Sequence, residues 1–154
     1  LFIAGQGDSA IVLEYTGSGF VTGSYSGSVA SPYDTYGTLK FIPDASDPGV
    51  SASVYMPFFN KDWWSVQVNV DTNFPSATLF AANEINGKIG FSGSNQVTNF
   101  DESYWTDATK AFLNTGSDFT PSGVGGKKYQ PFSGSFQELR YWKVELSESK
   151  FFDF

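Results

Sequence analysis

One stretch of this chain alternates between apolar and polar side chains without a break, from Trp63 to Asp71. Every second residue of a β-strand points to the same face, so the stretch predicts a strand with two chemically different faces. Trp64 and the three valines that follow it at spacing two form the face expected to pack in a core. The opposite face, expected to be wet or to bind a ligand, carries Trp63, Ser65, Gln67, Asn69 and Asp71.

Shorter runs of the same alternation recur along the chain, bounded by Gly, Pro, Asn, Asp and Ser. Between two of these runs, Asn86-Gly87 is a strong signal for a type I′ hairpin turn. The composition is rich in aromatic residues and poor in charge, which is typical of β proteins. The sequence therefore predicts an all-β fold, with strands over residues 11–15, 20–25, 37–42, 63–71, 77–85, 88–92, 111–114 and 134–143. A serine ahead of Lys150 predicts one final helical turn.

Charge and missing residue types exclude several function classes. Sixteen acidic residues against nine basic ones give a net charge of -7, which repels a phosphate backbone and argues against a nucleic-acid partner. The chain has neither His nor Cys, which excludes a serine triad, a typical zinc site, a thiol nucleophile and disulfides. No apolar run approaches the roughly 20 residues of a membrane-spanning helix, so no membrane insertion is expected.

The length of 154 residues suits one domain with a continuous core. We expect residues 1–154 to form a single domain that is a segment of a longer polypeptide. The core is expected to lie between two antiparallel sheets and to hold Trp64, Val66, Val68, Val70, Leu79, Phe91 and Leu139.

The run from Gly134 to Tyr141 reads Gly-x-hydrophobic-x-Glu-hydrophobic-Arg-aromatic, and a Leu-Ser pair follows at Leu146. This pattern resembles the closing strand of laminin-G-like domains. Residues 111–116 are similar to the strand before it, and residues 63–66 are similar to the central tryptophan-bearing strand. The resemblance implies the concanavalin A-like lectin/glucanase superfamily, whose fold is an antiparallel two-sheet jelly-roll sandwich.

The order Pro57-Phe58-Phe59 before Trp63-Trp64 is similar to laminin-G-like segments in structural proteins of phages and large DNA viruses. That similarity implies an extracellular or virion-surface location. Family members normally carry a further N-terminal hairpin, with a tryptophan, before the strand at residues 1–4, and no such hairpin is visible in this sequence. We therefore expect an open edge at residues 1–4 that contacts neighbouring protein subunits or an upstream segment of the same polypeptide.

The polar face of the alternating strand is a candidate glycan face formed by Trp63, Ser65, Gln67 and Asn69. A flat aromatic ring can stack on the apolar side of a sugar while amides exchange hydrogen bonds with its hydroxyls. The alternative is that a loop or the missing hairpin covers Trp63, since large aromatic side chains are mostly buried.

Two further sets of residues are candidates for binding or structural roles. Asp71 and Asn73 are candidate calcium ligands, although calcium needs about six to eight oxygens and acidic loops are usually just solvated. No other cofactor is expected. Glu138 and Arg140, two positions apart, predict a buried or half-buried ion pair that locks the last strand.

Glycoside hydrolases of this superfamily carry Glu-x-Asp-x-x-Glu on one strand, and this chain has no such string. We therefore expect no enzymatic activity. The expected function is a non-catalytic surface module for attachment or adhesion on a virion, fibre or cell surface, with weak glycan contact. A dedicated carbohydrate-binding (lectin-like) module is the alternative, and a glycoside hydrolase comes after it.

Overall fold

In the computed structural model of the chain, the regular elements of the described residues are eight β-strands and one short helix, which confirms the all-β prediction. The structure describes residues 2–4, 9–15, 35–44, 47, 49–71, 73–101, 111–113, 134–140, 142–144 and 146–151. Within these residues the elements are β1 Phe2–Ala4, β2 Ser9–Tyr15, β3 Gly37–Ile42, β4 Ala52–Met56, β5 Trp64–Asp71, β6 Ser76–Ile85, β7 Lys88–Thr98, β8 Ala111–Leu113 and the short helix α1 Glu148–Phe151. No helix in the described part has the length and apolar character needed to cross a bilayer.

The strands form two antiparallel sheets. One has five strands in the order β4-β3-β2-β1-β8, and the other has three in the order β5-β6-β7. Asn86 and Gly87 connect β6 to β7 with φ values of 55° and 75°, the positive values that a type I′ turn requires. The hairpin predicted from Asn-Gly is therefore confirmed, and β7 continues to Thr98, beyond the predicted end at residue 92.

One sheet edge differs from the sequence prediction. β1 lies between two partners, with Phe2 opposite Ile11 of β2 on one side and opposite Leu113 of β8 on the other. The expected open edge at residues 1–4 is therefore wrong, because β8 pairs with it. Among the described strands, the five-stranded sheet ends at β4 and β8 instead.

The facing sides of the two sheets share one hydrophobic core. Cross-strand partners point to the same face, so Leu79 and its partner Val68 both face the five-stranded sheet. The sheets are closest where β4 packs over β6 and β7, and a Cβ built on Gly93 would lie 3.5 Å from Met56 Cε. The buried members of this core are Leu39, Phe41, Ala52, Val54, Met56, Ala77, Leu79, Ala81, Val97 and Phe100.

The predicted core residues divide into two groups. Leu79 is fully buried, and Trp64, Val68 and Val70 pack partly buried against the same core. Three predictions are wrong, because Val66, Phe91 and Leu139 are 42%, 40% and 65% exposed. Val66 lies on the edge strand β5, Phe91 lies beside a β-bulge, and Leu139 lies outside any strand.

Two of the predicted strands do not appear among the described strands. The described residues of 134–143 contain no strand, so that prediction is wrong. Alternation gives a segment two faces, but a strand also needs a neighbour for its backbone N–H and C=O groups. The predicted strand at 20–25 lies outside the described residues. β5 begins at Trp64, so Trp63 precedes the strand by one residue.

Gly37, at the start of β3, packs closely against its neighbours at one end of the core. A Cβ there would lie 2.6 Å from Phe59 Cε2 and 2.7 Å from the backbone oxygen of Glu14. We expect Gly37→Ala to lower the free energy of unfolding by about 1 to 3 kcal/mol, because the backbone oxygen cannot move aside cheaply. Gly93→Ala is the matched control, since its Cβ meets only ordinary contacts. Equal urea midpoints for the two variants would contradict this packing.

Candidate functional site

The outer face of the three-stranded sheet carries the residues predicted to form the glycan face. Ser65, Gln67 and Asn69 share one side of β5, away from the core, as the alternation predicts. Ser65 is exposed, whereas Gln67 and Asn69 are half-buried. Trp63 is 60% exposed, so the described residues do not provide the loop that was the alternative explanation for this tryptophan.

The amides of Gln67 and Asn69 converge on one backbone carbonyl. Asn69 Nδ2 donates a hydrogen bond of 2.7 Å to the Leu146 oxygen, and Gln67 Nε2 donates one of 3.2 Å to the same atom. Gln67 Nε2 also donates to Asn69 Oδ1 at 2.6 Å, which holds the two amides together. Sequence reasoning missed Leu146, because a main-chain oxygen distant in sequence leaves no side-chain signal.

Residues 146–151, called here the C-terminal arm, lie on this outer face. The backbone N–H groups of Lys150 and Phe151 donate to the Ser147 oxygen and close the single turn of α1, which confirms the predicted helical turn. Phe151 is buried against Phe80 and Ala82, and its ring centroid lies 6.0 Å from that of Phe80. The arm thus covers part of the surface that the sequence assigned to a glycan.

A polar network fixes the chain on both sides of Trp63. Asn60 Oδ1 accepts from Trp64 Nε1 at 3.2 Å and from the Asp62 backbone N–H at 3.0 Å, while Asn60 Nδ2 donates to Asp62 Oδ2 at 2.7 Å. Asn83, which is buried, donates to the same carboxylate at 3.5 Å. Because both neighbours of Trp63 are held, its exposed position is part of the fold.

Large apolar side chains are exposed at the end of the three-stranded sheet where β5 begins, β6 ends and β7 begins. Phe91 stands opposite Asn83 in the β6–β7 register, and its ring centroid lies 6.3 Å from that of Trp64. A Cβ built on Gly90 would meet Ile85 Cδ1 at 2.6 Å, so the hairpin side chains are also close together. We call this end of the sheet the apolar end; its exposed residues, which strand alternation distributes over both faces of the sheet, are Trp63, Val66, Ile85, Ile89 and Phe91.

The candidate calcium ligands occupy the turn after β5. The Asn73 backbone N–H donates to Asp71 Oδ1 at 2.9 Å, so this carboxylate shapes the turn. In the part of the chain that the structure describes, no group of three or more His, Cys, Asp or Glu side chains is placed to hold a metal ion. Calcium binding at Asp71 and Asn73 stays a prediction.

Glu138 and Arg140 form a bidentate ion pair. Arg140 Nε donates to Glu138 Oε1 at 2.7 Å, and Arg140 Nη2 donates to Oε2 at 2.9 Å. Both side chains are exposed and neither residue lies in a strand, so the expected burial and strand-locking role are not observed. The hydrogen bonds from Arg140 lower the pKa of the Glu138 carboxyl and outweigh the opposing effect of desolvation, and the positive charge of Arg140 lowers it further.

This pair predicts a measurable shift in titration. In Arg140→Gln the pKa of Glu138 is expected to rise towards its ordinary value, and Arg140→Lys should give an intermediate result because it keeps the charge but loses the fork geometry. Since the pKa is lowered in the folded state, the pair stabilises the fold above the unfolded pKa, and that stabilisation is lost as pH falls through the folded pKa. The pKa of Glu138 is measured from the pH dependence of its carboxyl carbon shift in NMR. Identical titration midpoints for Glu138 in wild type, Arg140→Gln and Arg140→Lys would contradict this expectation.

Comparison of the chain with protein-family models, with curated proteins and with solved structures finds no match. Function therefore has to be inferred from the side chains themselves. Two surfaces carry candidate functional residues: the outer face covered by the C-terminal arm, and the apolar end that includes Trp63.

Proposed function

We propose that this chain is a non-catalytic surface module that attaches through protein contacts, with a jelly-roll fold of the laminin-G-like, concanavalin A-like type. The observation that carries the proposal is the apolar end, where five large apolar side chains are exposed at one end of one sheet. Large apolar side chains that gather in one exposed region are a mark of protein interaction sites, which supports this proposal. Neighbouring subunits or an upstream segment of the same polypeptide are the proposed partners.

Support for the jelly roll comes from the two antiparallel sheets that share a core. The laminin-G-like pattern at residues 134–141 is a resemblance in sequence alone, because the described residues there form no strand. The same resemblance supports a place on a virion, fibre or cell surface. Among the described strands, β4 and β8 end the five-stranded sheet with one neighbour each, and a further strand could pair at such an edge.

A sugar is the weaker candidate as main ligand, because the groups that would bind its hydroxyls already have partners. The amides of Gln67 and Asn69 donate to the Leu146 oxygen, and Asn60 and Asp62 bind each other beside Trp63. These existing hydrogen bonds would have to break before the same groups could bind a sugar. Each broken bond costs about 0.5 to 1.5 kcal/mol.

The dedicated carbohydrate-binding module remains as a second candidate because of one observation. Trp63 is 60% exposed and is held in place by its neighbours, as a stacking platform for a sugar ring would be. Stacking on such a ring contributes on the order of 1 kcal/mol, so a single contact would be weak and would depend on many copies.

Trp63→Ser separates the two functions. We expect sedimentation equilibrium to show concentration-dependent association of the full chain, and Trp63→Ser to weaken it about thirtyfold, since a central tryptophan contributes about 2 kcal/mol to an interface. Ile89→Lys should weaken it in the same way. Phe74→Ser is the matched control, because Phe74 is 76% exposed in the turn at the other end of β5.

A glycan array with the same four proteins completes the test. Binding that Trp63→Ser abolishes, in a chain that stays monomeric, would favour the carbohydrate-binding module over the proposal. A chain that neither associates nor binds glycans would contradict both the carbohydrate-binding module and attachment between neighbouring copies of this chain.

A further inference from the structure

We propose that Asn83 is a positioning residue for the apolar end. Its buried side-chain amide holds Phe91 and the loop that carries Trp63 in one fixed arrangement, so that a partner meets a preformed surface. This inference rests on the proposed function, because it concerns how the same surface is prepared for binding.

The first contact of this amide is with the backbone of β7. Asn83 is 3% exposed, and the β6–β7 register shifts between Asn83 and Glu84 at a β-bulge. At this bulge Asn83 Oδ1 accepts a hydrogen bond of 2.8 Å from the backbone N–H of Phe91. Bulges redirect neighbouring side chains, so this bond fixes the backbone from which the exposed ring of Phe91 projects.

The second contact of the amide is with the loop before β5. Asn83 Nδ2 donates to Asp62 Oδ2 at 3.5 Å, and Asp62 directly precedes Trp63. Asn60 and Asp62 bind each other through two hydrogen bonds. Lys61 between them has a φ of 69°, which residues other than glycine rarely adopt. Asn83 therefore contacts a loop of defined shape and joins that loop to β6.

One buried side chain thus connects the positions of two aromatic residues, Trp63 and Phe91, that lie on separate segments of the chain. Neither contact involves an apolar side chain, so the arrangement can be disturbed while the five apolar side chains of the surface remain. Side chains that become ordered only on binding reduce the affinity. Loss of the contacts of Asn83 should therefore weaken binding at the apolar end.

NMR of the ¹⁵N-labelled full chain tests the positioning directly. The first readout is the heteronuclear NOE of the Trp63 indole N–H, which falls when the ring moves on the ps–ns timescale and is assigned from its loss in Trp63→Ser. The second is hydrogen exchange of the Phe91 amide. We expect Asn83→Ala to lower the NOE and to speed the exchange at least about threefold, because the amide loses its acceptor.

Asp62→Ala separates the two contacts of Asn83. It should lower the NOE of the Trp63 indole but leave the exchange of the Phe91 amide unchanged, because Asn83 Oδ1 still accepts from that amide. Asp62→Asn should retain most of the NOE, since its side-chain oxygen can still accept a hydrogen bond. Asp47→Ala is the matched control, because Asp47 is an exposed aspartate in the loop between β3 and β4, and it should give wild-type values.

Two results would overturn the proposal. The first is an unchanged NOE of the Trp63 indole in Asp62→Ala, and the second is unchanged exchange of the Phe91 amide in a folded Asn83→Ala chain. If Asn83→Ala does not fold, Asp62→Ala decides alone, because Asp62 is exposed and its replacement leaves the core intact.

Sedimentation equilibrium then separates this inference from the proposed function. We expect Asp62→Ala to weaken association of the full chain about three- to tenfold, since Trp63 must be ordered again on binding. A lower NOE without weaker association would contradict attachment through the apolar end and would support the positioning by Asn83. An unchanged NOE would overturn the positioning whatever the association.

Discussion

Leu79→Asp is expected to unfold the chain. Leu79 is fully buried in the middle strand of the three-stranded sheet, opposite Val68 and facing the second sheet. A carboxylate there would be surrounded by apolar side chains, and burying it without a partner costs several kcal/mol against a total stability of about 5 to 15. Loss of the β-sheet circular dichroism in the absence of denaturant is the expected result.

Val66→Asp is the matched control for this substitution. Val66 projects from β5 towards the same side of the sheet, two residues from Val68, but it is 42% exposed and a carboxylate there can reach water. We expect this variant to fold with little change in its urea midpoint. If both variants unfolded, strand propensity and not burial would explain the effect, and if neither did, the core between the sheets would be wrong.

Phe41→Ala is expected to have the second-largest effect. Phe41 lies on β3 inside the five-stranded sheet, is almost completely buried, and is paired in register with Ile11 and Ala52. Removing its ring leaves a cavity between two sheets that are held by many other contacts and cannot fully collapse. We expect a loss of about 3 to 5 kcal/mol in the free energy of unfolding, measured by urea titration.

Phe74→Ala is the control for Phe41→Ala, because it removes the same side chain from an exposed position. Phe74 is 76% exposed in the turn between β5 and β6, so its removal should change stability by less than about 0.5 kcal/mol. A loss of similar size in both variants would contradict the assignment of Phe41 to the core.

Features with a local cause could be predicted from the sequence. The Asn86-Gly87 hairpin depends on two adjacent residues that tolerate positive φ, and the alternation of β5 depends on its own side chains. Which apolar residues are covered depends on distant elements. Val66 reads the same as Val68 in sequence and lies on the same face of the same strand, but Val68 packs against the core and Val66 is 42% exposed.

In the candidate site too, features with a local cause could be predicted from the sequence, and contacts with distant residues could not. Alternation placed Ser65, Gln67 and Asn69 on one face, as observed, because face assignment needs only the strand period. The Leu146 carbonyl that occupies two of these side chains could not be predicted, since the contact depends on the path of the chain and not on a residue type. Glu138 and Arg140 could be paired from their spacing, but their exposure depends on whether a neighbouring strand is present.

The position of β1 between β2 and β8 has a consequence for the order of folding. The three-stranded sheet is built from successive strands, so its pairing closes only short loops and is expected to form early. β1 pairs with residues 111–113, near the other end of the described strands, and gains that neighbour only after the chain between them has been synthesised. Until then one side of β1 lacks that neighbour, and its backbone groups could pair with a strand of another growing chain.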